Sequence, residues 1–167
     1  MTDPFEALYR PPSPVEPRPE FSARLRTRIE DELRREMMTE QPITLTPSLS
    51  VPDPHEAIRF YKEAFGATEV YVETVPDGSV YAGLAVGEAT FDLSRESADY
   101  GNLGPLALGG TPVRLSLIVP DPDAFAERAV AAGARVIFPI EDQPYGYRQG
   151  RIEDPFGHQW MIGKPLA

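Results

Sequence analysis

The sequence predicts an α+β fold of two βαβββ modules, preceded by an extended arm and an amphipathic helix. Three observations carry that prediction. The chain repeats itself: "SLSVPDPHEAIRFYKEAFGATEVYV" begins at Ser48 and "SLIVPDPDAFAERAVAAGARVIF" at Ser116. Its two "VPDP" units lie 68 residues apart and its two Gly-Ala pairs 67 apart, so one order of elements is run through twice. Ahead of the repeat, apolar residues return every four positions, the spacing of one helix face.

Residues 1–18 hold Pro4, Pro11, Pro12, Pro14 and Pro17 with almost no apolar period, which reads as an extended arm. Phe21, Leu25, Ile29, Leu33 and Met37 then form a narrow apolar stripe with charge between them, so 19–38 is an amphipathic helix and 39–42 a linker. Such a stripe has to dock on the main domain or on a partner chain.

Module 1 spans 43–95 and module 2 spans 111–164, within a domain covering 41–167. Each opens on a strand. Asp53 and Asp121 follow it and are placed to cap a helix, with Pro54 and Pro122 in the first turn. Gly66 and Gly133 stand just past the helices, where a left-handed residue ends the last turn. Ala57, Ile58, Phe60, Tyr61, Ala64 and Phe65 make the buried face of the first helix. Phe125, Ala129 and Ala132 make that of the second. Three strand-like runs follow each helix, the first two of module 1 being joined by a turn at Pro76 to Gly78. The Gly- and Pro-rich connection 96–112 is a plain linker or a flap over a site.

Composition excludes several classes of function. A net charge of −10 argues against a general nucleic-acid binder, which needs a basic patch. The arginines of 18–35 alternate with glutamates, as on a solvated helix face. There is no cysteine, hence no thiolate ligand or nucleophile. No apolar run is long enough for a membrane span and the N-terminus has no secretory pattern, so a cytoplasmic location is expected. Phosphate-loop, dinucleotide-binding, G-x-S-x-G and H-E-x-x-H motifs are all missing.

The paired modules, "AIRFYKEAFGA" and the closing "GRIEDPFGHQWMI" resemble the glyoxalase/bleomycin resistance/dioxygenase (vicinal oxygen chelate) superfamily over residues 43–164, in its glyoxalase-like bacterial branch. The resemblance implies that each module curls into half of an open barrel and that the two halves enclose a cavity. Homodimers are common among relatives. In metal-dependent members the ion's ligands are His, Glu or Gln from the first and last strands of each module. Carried over, those positions are Thr46, Asp92, Arg114 and Met161.

That set fails as a metal site. Arg114 presents donors only and repels a cation. A thioether such as Met161 suits Cu(I) rather than Mg, Mn, Fe(II), Ni or Zn. Asp92 is the only plausible ligand, so the expected cofactor is none and a divalent metal is disfavoured. Strand alternation puts Thr46, Ser48, Asp92, Arg114 and Ser116 on polar faces that line the implied cavity or meet solvent, and Gln159 shares the cavity side with Met161. Asp92 and Arg114 either satisfy each other across the cavity or Arg114 holds an anionic group of a ligand. Tyr145, Tyr147 and Arg148 close the cavity mouth or form a plain hairpin. His158 points away from the cavity toward the helices as a structural histidine, and His55 lies at the surface.

Three functions are compatible with these residues. The first is metal-free binding of a small organic molecule, of the bleomycin-resistance type, for drug or toxin sequestration. The second is a divalent-metal-dependent lyase, isomerase or dioxygenase of the same superfamily. The third is a regulatory or interaction protein acting through the N-terminal helix. The expected partner is a small-molecule ligand, with a homodimer possible and neither nucleic acid nor membrane.

Overall fold

The computed structural model describes residues 19–37 and 43–166; the expected arm at 1–18 and linker at 39–42 lie outside them. The chain forms two compact units, 1–44 and 45–167. In the first, helix α1 runs Pro19–Met37, as the four-residue period predicts, and Phe21, Leu25 and Ile29 of its stripe are exposed.

The second unit contains both modules. Module 1 is β1 (Ser48–Val51), α2 (Pro54–Phe65), β2 (Thr68–Thr74), β3 (Val80–Val86) and β4 (Ala89–Arg95). After a short α3 (Pro105–Leu108), module 2 repeats the order as β5 (Arg114–Ile118), α4 (Pro122–Ala131), β6 (Arg135–Gln143), β7 (Tyr147–Glu153) and β8 (Gln159–Pro165). The sheets have equivalent orders, β1-β4-β3-β2 and β5-β8-β7-β6, and in each the first strand runs parallel to the last.

The helix boundaries have the causes the sequence suggests. Asp53 accepts from the His55 and Glu56 N–H groups at 2.8 and 3.2 Å, and Asp121 accepts from Ala124 N–H at 3.1 Å. Gly66, at φ 66°, ends α2. α4 ends one step differently: Ala132 is its right-handed C-cap, Gly133 N–H reaches Val130 O at 3.0 Å, and Ala134 N–H reaches Ala129 O at 2.9 Å.

Both helices cover the same side of their sheets, and α2 lies against α4. Phe60, Tyr61 and Phe65 of α2 reach Phe125 of α4, Phe156 in the turn before β8, and Trp160 of β8, with ring centroids 4.9–6.1 Å apart. These pairs, each worth about 1 kcal/mol beyond their buried area, bind one module to the other. At the centre lies the buried Asp154 carboxylate. It accepts from Tyr61 Oη at 2.6 Å, Trp160 Nε1 at 2.8 Å, Phe156 N–H at 3.0 Å and His158 N–H at 2.9 Å. Burial pushes the Asp154 carboxyl above its ordinary range, against the hydrogen bonds that hold it down. The same burial, with Asp154 beside it, raises the Tyr61 phenol well above its usual value.

Candidate ligand-binding site

Helices on one side leave the other side of each sheet open, and that open face carries the polar residues. In module 1 a cross-strand row runs Ser48, Asp92, Gly83, Tyr71 over β1, β4, β3 and β2. In module 2 the equivalent row runs Ser116, Met161, Arg151, Phe138 over β5, β8, β7 and β6. Met161 therefore stands where Asp92 stands, one repeat later.

The two rows are filled differently. Gly83 has no side chain, so the Tyr71 ring lies over it, and a Cβ there would overlap that ring. The Tyr71 hydroxyl then donates to Asp92 Oδ1 at 3.0 Å. Partial burial and the neighbouring carboxylate raise the Tyr71 phenol above its ordinary value. In module 2 the glycine's place is taken by Arg151, whose guanidinium stacks 4.6 Å over the Phe138 ring.

Beside this second row is a hollow of about 350 Å³, lined among others by Arg114, Phe138, Glu141, Tyr145, Arg151 and Met161. A hydrogen-bond chain braces it: Arg135 to Glu153 at 2.7 Å, Gln159 Nε2 to Glu153 at 3.2 Å, and Arg151 Nη1 to Gln159 Oε1 at 3.0 Å. Gln149, also lining the hollow, is buried and accepts from Tyr145 Oη at 3.2 Å. The hollow owes its shape to a bulged β6, whose Pro139 carbonyl crosses so close to Gly150 that a Cβ there would stand 2.5 Å from it.

The site residues inferred from sequence do not converge in one place. Arg114 and Met161 line the module 2 hollow, with Ser116 exposed on the same face. Ser48 and Gln159 line a separate cleft of about 360 Å³ at the seam between the modules. Residues 103–113 of the connection line that cleft, packing Pro105 and Leu106 against Gly157. Tyr147 is half-buried at the start of β7, with its ring 6.3 Å from that of Tyr145 in the hairpin.

Three expectations are corrected. Thr46 does not belong to the first strand: Pro47 follows it and has no N–H for a ladder, so pairing starts at Ser48. Asp92 and Arg114 form no ion pair: Asp92 accepts from Tyr71 in module 1, and among the described residues Arg114 has no carboxylate within salt-bridge distance. Arg148 is not at the cavity mouth. It faces the helix side, donates to both oxygens of Asp123 in the first turn of α4 at 2.7 and 2.6 Å, and reaches Asp142 at 2.9 Å. Hydrogen bonds from Arg148 hold the Asp123 carboxyl below its ordinary range.

Arg151, Gln149 and Phe138 are among the lining residues that the sequence reading missed, with Glu141 and Gln143. Alternation contained a signal for two of them: Ile152 marks the helix side of β7, which puts Arg148 and Gly150 behind and Gln149 and Arg151 in front. His158 behaves as a structural residue. It is buried, and its Nε2–H donates to Ser50 O at 3.1 Å, tying the start of β8 to β1. It also borders the seam cleft beside Ser48 and Gln159, rather than pointing away from every cavity.

No set of three or more His, Asp or Glu side chains able to hold a metal exists among the described residues. The donor chemistry is as poor: the four positions that the resemblance implies hold Thr46, Asp92, Arg114 and Met161, and the one carboxylate already accepts a phenol hydrogen bond. A divalent ion does not fit this set. No helix among the described residues is long and apolar enough to cross a membrane.

Comparison with known proteins agrees with the geometry. The uncharacterized protein Mb0911c of Mycobacterium bovis is 41% identical over 126 residues, which is 73% of this chain and 83% of that protein. The crystal structure of TioX from Micromonospora sp. ML1 superposes with a TM-score of 0.58 at 25% identity, covering 75% of this chain and 98% of TioX. A glyoxalase-related enzyme from Fulvimarina pelagi gives a TM-score of 0.59 at 22% identity over 74% of this chain and 88% of its own. The sequence profile of one family matches residues 43–162, and the duplicated βαβββ fold is that family's fold. This chain belongs to the glyoxalase/bleomycin resistance protein/dioxygenase superfamily.

Proposed function

We propose that the protein binds a small organic molecule, without a metal, in the hollow on the open face of module 2. The observation that supports this most is the pair of equivalent rows. The position that carries a carboxylate in module 1 carries Met161 in module 2, and the carboxylate that remains is hydrogen-bonded by Tyr71. A thioether, a guanidinium and an aromatic ring around a hollow of about 350 Å³ suit a compact organic ligand. Sequestering a drug or a toxic metabolite is the role that such binding serves.

Amide chemical-shift mapping with a fragment library tests the reading. Protein treated with chelator should bind fragments, with the largest shifts at Gln149, Arg151 and Met161. Binding that appears only after a divalent metal is restored would contradict it.

A further inference from the structure

The charges around the hollow point to a narrower ligand class, on the assumption that the proposed metal-free binding is correct. The chain has 26 acidic and 16 basic residues, and its guanidiniums differ in what they meet. Arg135 meets Glu153, and Arg148 meets Asp123 and Asp142. Among the described residues Arg95 and Arg128 have no acid within salt-bridge distance, but neither lines the hollow. Arg114 and Arg151 have none either, and they are set apart by where they stand: both line the same hollow from either side of β8.

Arg151 is also held in place. Its Nη1 donates to the neutral oxygen of Gln159, whose amide is oriented by its own bond to Glu153, and Phe138 supports its plane. Other N–H donors of its guanidinium stay available. A charge held this way loses little side-chain freedom when it meets a ligand. Glu141 is the carboxylate of the lining. It pairs with Gln149, one open-face row beyond Arg151 and two rows from Arg114. At about 7 Å per two residues, it leaves the Arg114 end positive and sets the direction in which a charged ligand lies.

We propose that this hollow takes an organic anion, a carboxylate or phosphonate held between Arg114 and Arg151, with its apolar body against Met161 and Tyr145. The complementary acidic group is supplied by the ligand, which meets two guanidiniums that share one hollow.

Calorimetric titration of the full-length, chelator-treated protein with four probes of similar shape tests this: benzoate, phenylphosphonate, benzamide and benzylammonium. Benzoate and phenylphosphonate should bind about tenfold more tightly than benzamide at low salt, the size of effect expected for hydrogen bonds to a charged group. Benzylammonium should bind most weakly. Raising the salt should erode the preference. Arg114→Gln, at an exposed position, should bring the benzoate-to-benzamide affinity ratio toward one, and Arg151→Gln should do the same. Benzamide binding as well as benzoate would overturn the anion assignment and leave metal-free binding standing. An unchanged ratio in Arg114→Gln would also overturn the assignment. Absence of binding by every probe would overturn both readings.

Discussion

The Tyr71 hydroxyl donates to Asp92 at 3.0 Å across a strand whose intervening residue is Gly83. The contact exists because Gly83 lets the ring lie flat on the sheet. It engages the one carboxylate among the four positions that the resemblance implies for metal ligands. Gly83→Ala should swing the ring away and break the bond at little cost to folding, since a side chain yields more readily than backbone. Loss of nuclear Overhauser contacts between the Tyr71 ring and the Asp92 side chain would register the break, and their persistence would contradict this geometry.

Gly150→Ala should behave oppositely. Its Cβ would meet the Pro139 carbonyl carbon at 2.6 Å, and backbone cannot step aside cheaply. A loss of about 2 kcal/mol is expected, together with collapse of the neighbouring hollow. Urea unfolding of the two glycine variants side by side measures the difference.

Much of this fold was legible in the sequence because the repeat fixes it twice. Asp53 and Asp121 cap helices, Gly66 ends one, and Ala57 to Phe65 bury the face that their spacing predicts. The site was legible only in part. Alternation puts Asp92 and Met161 on the open faces where the register has them, but it assumes a strand that begins before Ser48, and Pro47 prevents that. Phe138 was hidden by register shifts on both sides of it in β6, which break the two-residue period. Arg148 was misassigned through its charge, although Ile152 four residues on marks its side of the strand.

The Asp154 network should dominate the stability of the junction between modules. Tyr61→Phe removes one hydrogen bond to a buried carboxylate and should cost about 2 kcal/mol. Asp154→Ala should cost more, since it leaves the Tyr61 hydroxyl and Trp160 Nε1–H buried without partners. Chemical denaturation at neutral pH gives both values.

Asp123 offers a pH test. Its native carboxyl titrates below the ordinary value because Arg148 donates to it, so it binds fewer protons folded than unfolded in that interval. Its contribution to stability is therefore complete above about pH 4 and is lost as pH falls through the lowered native value. Arg148→Met should return the Asp123 carboxyl resonance to an ordinary titration and leave binding at the hollow unchanged. A midpoint that stays low in the variant would assign the shift to another cause.

Residues 43–167 should fold without the preceding segment, because among the described residues the buried core runs from Leu49 to Ile162. A single cooperative melt of that fragment, monitored by near-ultraviolet circular dichroism of Trp160 and its aromatic neighbours, is the expected result. A fragment without fixed tertiary signal would show that the core needs more of the chain.

Metal titration tests the central claim most directly. Chelator-treated protein is titrated in a calorimeter with Ni, Zn, Mn and Fe(II), alongside elemental analysis of protein purified without added ions. The account predicts no stoichiometric metal in either experiment, and the same flat titration for wild type and Asp92→Ala. One equivalent of metal bound by the wild type and lost in Asp92→Ala would contradict it.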